Sequence, residues 1–272
     1  MKNNLLYIFF LFVQITFVSA QDVTGVLGAF PPELVLLQSR MDNKKDTIIQ
    51  QIRFTSGTLN GRNIVLAQTG IGKVNAAITT TLMLEHFKPN EIVFSGIAGG
   101  IDPTLSPGDI VIGTNVTYHD YGMVEDSGMK YWSTKNPSTM LENPRLFVCD
   151  TTLVQTAVDV SKNLIFSKIK RDNGSFTPTV KQGSIVTGDV FVSSKKATQR
   201  LRKELNASAT EMEGGAIAQT CFQQNTPFLI IRSLSDNAND KAQNDILTFY
   251  DIAAHNAATL VIALLGEIKS VK

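Results

Sequence analysis

The sequence predicts an α/β fold, a single domain built on a mixed, mostly parallel sheet with helices on both faces. Three observations carry that expectation. Short apolar runs such as EIVFSG (91–96) and PFLIIRSLSD (227–236) are almost unbroken, as strands covered on both faces must be. Stretches with helical periodicity separate these runs, the alternation that builds parallel sheets. No Pro/Ser-rich linker, charge block or internal repeat divides the 272 residues.

Taken in order, Val23 to Phe30 reads as a strand, and Pro31 and Pro32 open a helix through LVLLQSRM. Proline suits a first helical turn, where its missing N–H costs nothing. NIVLAQTGIG (63–72) is a strand running into a glycine turn, KVNAAITTTLMLEHF (73–87) a helix with a small-residue face, and EIVFSGIAGG (91–100) another strand ending in glycine. GDIVIGTNVTYHD (108–120) is extended, and ENPRLFVCDTTLVQTAVDVSKNL (142–164) turns helical after its proline. KQGSIVTGDVFVS (181–193) reads as a strand, SKKATQRLRKEL (194–205) as an exposed basic helix, and TEMEGGAIAQTCFQQ (210–224) as a helix that opens with acids. PFLIIRSLSD is the last strand and ILTFYDIAAHNAATLVIALLGEI (246–268) a long closing helix. Residues 126–143 and 171–180 read as enlarged surface loops. Ligands of such sheets bind beyond the carboxyl ends of the strands. Glu33, TGIG, SGIAGG, TGDVF, Glu211, Glu213 and Asp236 all fall where a strand stops.

The first 20 residues stand apart from this pattern. Lys2, the apolar run Leu5 to Val13 and the small residues Val18, Ser19 and Ala20 have the layout of a cleaved export signal. The apolar run is short of the roughly 20 residues that a membrane span needs. The expectation is therefore a secreted or periplasmic protein whose mature domain covers 21–272, with no membrane contact after cleavage. A net charge of +1 leaves no electrostatic footprint for nucleic acid. Cys149 and Cys221 lack partners at metal-ligand spacing and His86, His119 and His255 are scattered, so buried free thiols are expected and neither a metal nor a cofactor.

Seven ordered motifs carry a resemblance: GAFPPE, TGIGKVNAA, SGIAGGIDPTLSPGDIVI, YHD, TGDVFV, EMEGGAIA and RSLSDNA. Together they resemble the nucleoside phosphorylase family, on the side of its methylthioadenosine/S-adenosylhomocysteine nucleosidase branch, over nearly the whole mature chain. The resemblance implies an enzyme that frees adenine from a purine nucleoside and forms homodimers. Asp236 is then the acid that protonates N7 of the base, and the apolar strand before it supplies desolvation to raise its pKa. Alone, Asp236 reads first as an ordinary helix N-cap, and the other motifs turn the reading to catalysis. Glu33 is the carboxylate that stays ionised and holds the attacking water, although a glutamate in a first turn is also an ordinary dipole partner. Glu213 accepts hydrogen bonds from the ribose hydroxyls, Met212 lies against the sugar, and Glu211 matches a position near ribose and water or a supporting acid. Phe191 stacks on adenine and the backbone of Val192 reads its edge. Ile71 of TGIG and Ala98 of SGIAGG match further substrate-binding positions, and Arg232 positions neighbouring carboxylates. YHD (118–120) falls near the subunit contact.

Two departures bear on the nucleophile. Ile97 stands where the family usually has serine or threonine, and GVLGAFPPE has no arginine. Without a hydroxyl or a guanidinium there to grip phosphate, water is the expected nucleophile. The missing hydroxyl also removes a partner of that water. A phosphate-dependent phosphorylase and a non-catalytic nucleoside-binding or storage protein stay open as alternatives. Ile246 falls near the 5′ substituent, leaving the preferred one open among methylthioadenosine, S-adenosylhomocysteine, 5′-deoxyadenosine and adenosine.

Overall fold

A computed structural model describes residues 22–171 and 174–269, so the export segment lies outside the described residues. The chain begins with β1 (Val23–Gly28) and α1 (Pro31–Arg40), then β2 (Asp42–Ile49), β3 (Ile52–Leu59) and β4 (Arg62–Gln68). α2 (Lys73–Phe87) leads into β5 (Glu91–Gly100) and β6 (Ile110–Tyr118), followed by the small hairpin of β7 (Gly122–Glu125) and β8 (Gly128–Tyr131). β9 (Phe147–Val148) precedes α3 (Thr151–Ser161), and β10 (Ile169–Arg171) and β11 (Gly174–Phe176) precede β12 (Val180–Thr187). The chain closes with α4 (Lys195–Leu205), β13 (Ala207–Glu211), α5 (Gly214–Gln223), β14 (Phe228–Asp236) and α6 (Ala242–Glu267).

The strands lie in the order β13-β12-β6-β14-β5-β1-β4-β3-β2, with β9 on the side of β6. β1 runs parallel to β4 and β5, β5 to β14, and β12 to both β6 and β13. β6 meets β14 antiparallel, and β2 and β3 extend the far edge antiparallel. The sheet is thus mixed: two parallel blocks, β13-β12-β6 and β14-β5-β1-β4, meet antiparallel where β6 lies beside β14. β14 is buried at every residue and β1 at nearly all, which is why their sequences are near-continuous apolar runs. The other end of the sheet curls until β13 pairs with the last two residues of β5, at Gly99 and Gly100. That curl brings Glu211 to the same rim as Asp236.

Helices α1, α3 and α6 pack together, as do α2 with α5. α6 is long and apolar enough to cross a membrane by length and composition. Here it packs along β5 and β14, burying Ala253, Ala254, Ala257, Leu260, Val261 and Leu264. Cys149 and Cys221 are buried free thiols, as expected.

Two expectations need correction. β2 and β3 had no counterpart in the sequence pattern, because β2 is charged and largely exposed and its turn uses Gln50 and Gln51 at φ 49° and 67°. Such turns ordinarily announce themselves with Asn or Gly. TEMEGG does not open a helix: Thr210 and Glu211 end β13, and α5 starts at Gly214 with Glu213 as its N-cap. β13 is short and made of small residues, so it carries little β-propensity, and pairing with β12 decides its conformation.

Candidate active site

Glu33 sits in the first turn of α1, behind Pro31 and Pro32, where proline fixes the entry of the helix. Phe30, the N-cap, has no side-chain oxygen to offer, and the Glu33 carboxylate reaches back to accept the Ala29 N–H. Its other oxygen accepts the Ile97 N–H of β5 at 2.9 Å. Glu33 is only 2% exposed. Burial pushes its carboxyl above the usual range, opposed by the Arg232 charge and by backbone N–H donors. Gly96 makes this approach possible, because a Cβ there would fall 2.7 Å from Glu33 Cδ.

Arg232, on β14 beside Gly96, has no solvent exposure. It donates to Glu211 at 2.8 Å and lies over the Phe94 ring, 3.6 Å from its centroid. Glu211 also accepts the N–H of Glu213 at 3.1 Å and of Gly214 at 2.7 Å, and the Thr187 hydroxyl. Thr187 in turn accepts the Gly215 N–H at 2.7 Å. The first N–H groups of α5, which the Glu213 side chain does not cap, are therefore satisfied by Glu211 and Thr187. The two acids that flank Met212 therefore have different duties. Glu211 is spent on Arg232 and the helix start, which leaves Glu213 free to face the rim.

Among the described residues, Glu213 has one protein hydrogen-bond donor, the Gly72 N–H at 2.8 Å. Desolvation, and then the nearby Glu211 charge, push its carboxyl up to about 8, against the pull of Arg232 and the Gly72 bond. Burial and the Glu211 charge thus favour its protonated form at neutral pH. Asp236 ends β14, paired with Gly99, and is 1% exposed. Its carboxyl accepts the Ser235 hydroxyl and the Ala238 N–H, both at 2.7 Å. Burial raises its pKa against those bonds. It turns the chain back after the strand and does not cap α6, which begins six residues later at Ala242.

Glu33 against Gly96, Arg232 beside it, Asp236 against Gly99, and Glu211 and Glu213 from the adjoining strand end thus share one rim of the sheet. Ala98 is buried between them and its carbonyl accepts the Ser235 hydroxyl at 3.3 Å. Met212 is half-buried at this rim. Phe191 and Val192 lie farther out on the loop after β12. Phe191 is 41% exposed and Val192 buried, and both line a cavity of about 510 Å³ with His119, Met129 and Leu201. Ile71 is exposed on the glycine turn before α2. Ile97 presents its N–H to Glu33 and an apolar side chain beside it. Residues that the motif reading missed as site components are Thr187, Phe94 and the backbone donors of Ala29 and Gly72. Thr187 heads TGDVF, Ala29 lies in GAFPPE and Gly72 closes TGIG, so these three stood within the motifs, whereas Phe94 read only as part of an apolar strand.

A family model described as the phosphorylase superfamily matches residues 23–266. A 5′-methylthioadenosine/S-adenosylhomocysteine nucleosidase of Psychromonas ingrahamii is 38% identical over 90% of this chain and 98% of its own. Among solved structures, the Neisseria meningitidis nucleosidase of that name, in complex with methylthio-immucillin-A, superposes with a TM-score of 0.78 at 34% identity, covering 91% of this chain and 100% of its own. The Colwellia psychrerythraea nucleosidase, in complex with adenine, also gives 0.78 at 32% identity, over 92% and 99% of the two chains.

Proposed function

The chain belongs to the phosphorylase superfamily, and from that premise we propose that it hydrolyses the N-glycosidic bond of 5′-substituted adenine nucleosides. Methylthioadenosine and S-adenosylhomocysteine are the leading substrates, with 5′-deoxyadenosine a further one, and adenine is the released base. The observation that carries this reading is the gathering of Glu33, Glu213 and Asp236 at one sheet rim, with buried Arg232 acting on the first two. Breaking this bond requires a proton for the departing base and a nucleophile for the cationic sugar. Asp236, whose burial favours the protonated carboxyl, gives its proton to N7 of adenine. Glu33 accepts a proton from the water that attacks the anomeric carbon. Burial raises the Glu33 carboxyl, and the Arg232 charge offsets part of that rise, on the side of the ionised form this needs. Glu213 accepts the ribose hydroxyls and, once ionised, opposes the charge growing on the sugar.

Water is favoured over phosphate because Ile97 presents only a backbone N–H, already given to Glu33, and the Arg232 guanidinium is committed to Glu211. The products are adenine and a 5′-modified ribose, an entry to methionine salvage. Two further features belong to this reading. The N-terminal pattern supports export, outside the cytoplasm. A homodimer is supported by Val74 and Ile78 on α2 and Phe222 on α5, apolar side chains exposed on two helices that pack together.

The test is adenine release from methylthioadenosine with and without phosphate. Release without phosphate, lowered by roughly 10²- to 10⁴-fold in Asp236→Asn, is expected. Strict phosphate dependence would make the protein a phosphorylase, and binding without release a nucleoside-binding protein.

A further inference from the structure

α2 begins without a side-chain cap of its own, since its N-cap residue is Gly72 at φ 95°. Two carboxylates from distant segments take the first N–H groups instead. Glu213 accepts the Gly72 N–H at 2.8 Å, and Asp189, from the loop after β12, accepts the Lys73 N–H at 2.8 Å. A helix N-terminus favours anions both through its free N–H groups and its dipole. Asp189 is itself tied down. Its N–H donates to Asp120 at 2.8 Å, and the Lys73 ammonium sits 2.7 Å from both Asp120 oxygens and 3.8 Å from Asp189. Gly72 gives Asp189 the room it needs, because a Cβ there would stand 3.2 Å from the Asp189 carboxylate.

We propose that Asp189, held by Lys73 and Asp120, is a positioning residue that sets the Gly72 N–H under Glu213 and anchors the loop carrying Phe191. The proposal rests on the nucleosidase reading and deepens it. The α2 start that donates to Glu213 and the loop that carries Phe191 are joined by this ionic clasp, whose partners Lys73 and Asp189 lie 116 positions apart. Asp189 is two residues from Phe191, and its partner Lys73 directly follows Gly72. Neither Asp189 nor Lys73 touches the reacting bond, so loosening the clasp disturbs binding more than chemistry. The stacking on Phe191 and the ribose hydrogen bonds are shared by substrate and transition state, so the loss appears mainly in KM and only weakly, through Glu213, in kcat.

The experiment compares the full chain with Asp189→Ala and Asp189→Asn, reading kcat and KM for methylthioadenosine. Asp189→Ala should raise KM roughly tenfold with kcat within about twofold, the scale of losing a charge-assisted bond and an ordered loop. Asp189→Asn keeps an oxygen to accept the Lys73 N–H, so it should recover most of that loss. Lys73→Met, which removes the ammonium and leaves the backbone donor, should fall between the two. An Asp189→Ala enzyme with unchanged KM, or with kcat falling as far as KM rises, overturns the proposal. So does an Asn variant no better than Ala. Failure of the nucleosidase reading is distinct, because it shows as absence of adenine release in the unsubstituted chain.

Discussion

The Arg232–Glu211 pair offers the sharpest test of how this site is held together. Arg232 has no solvent exposure, pairs with Glu211 at 2.8 Å, and moderates the carboxyls of Glu33 and Glu213. Arg232→Met keeps a long, polarizable side chain over the Phe94 ring, so the change isolates loss of charge from loss of volume. Removing one partner of a buried ion pair strands the other and costs about 3–5 kcal/mol. For a domain of this size each kcal/mol moves the melting temperature by about 2–4 °C, so Tm should fall by roughly 10 °C. Adding Glu211→Gln removes the stranded charge while still accepting the N–H groups of Glu213 and Gly214. The double variant should regain more than about half of the lost stability, since neutral replacements of buried pairs are often close to neutral in effect. Urea unfolding of the four proteins of this cycle measures all the terms. A single Arg232→Met cost below about 1 kcal/mol, or a deeper loss on adding Glu211→Gln, would refute the reasoning.

Other expectations follow from the same geometry. Glu213 has a folded pKa of about 8, above the roughly 4.3 of an unfolded glutamate, so between these values the folded state holds a proton that the unfolded chain has released. Its contribution to stability is complete at the acid end and is lost as pH rises toward 8. Urea midpoints measured across that window should decline, and Glu213→Gln should flatten the decline. Gly96→Ala places a Cβ 2.7 Å from Glu33 Cδ, so it should displace the carboxylate and lower kcat/KM by at least about tenfold, read in the adenine-release assay. Cys149 and Cys221 are buried with thiols that burial pushes up, Cys149 to about 12. An aromatic disulfide reagent should therefore find neither thiol in the native protein and both after denaturation.

The amino-acid sequence by itself determined the elements whose signal is local. Short, largely apolar runs made β1, β5 and β14 legible as strands, and Pro31–Pro32 set the start of α1 with Glu33 in its first turn. Strand ends carrying glycines and acids showed where a site would form, since the chain must turn there and backbone donors are free. Tertiary structure alone decided which acid does what. Glu211 and Glu213 are alike in sequence, two positions apart with Met212 between them. They differ because the first ends a strand beside Arg232 and the second opens a helix facing Gly72. The β2–β3 edge and the Lys73–Asp120–Asp189 clasp were equally out of reach. One rests on a turn with unusual residues in left-handed conformations, the other on partners 47 and 116 positions apart. Local propensity sees a few residues at a time, whereas burial, charge pairing and the shared use of backbone donors depend on what the fold brings alongside.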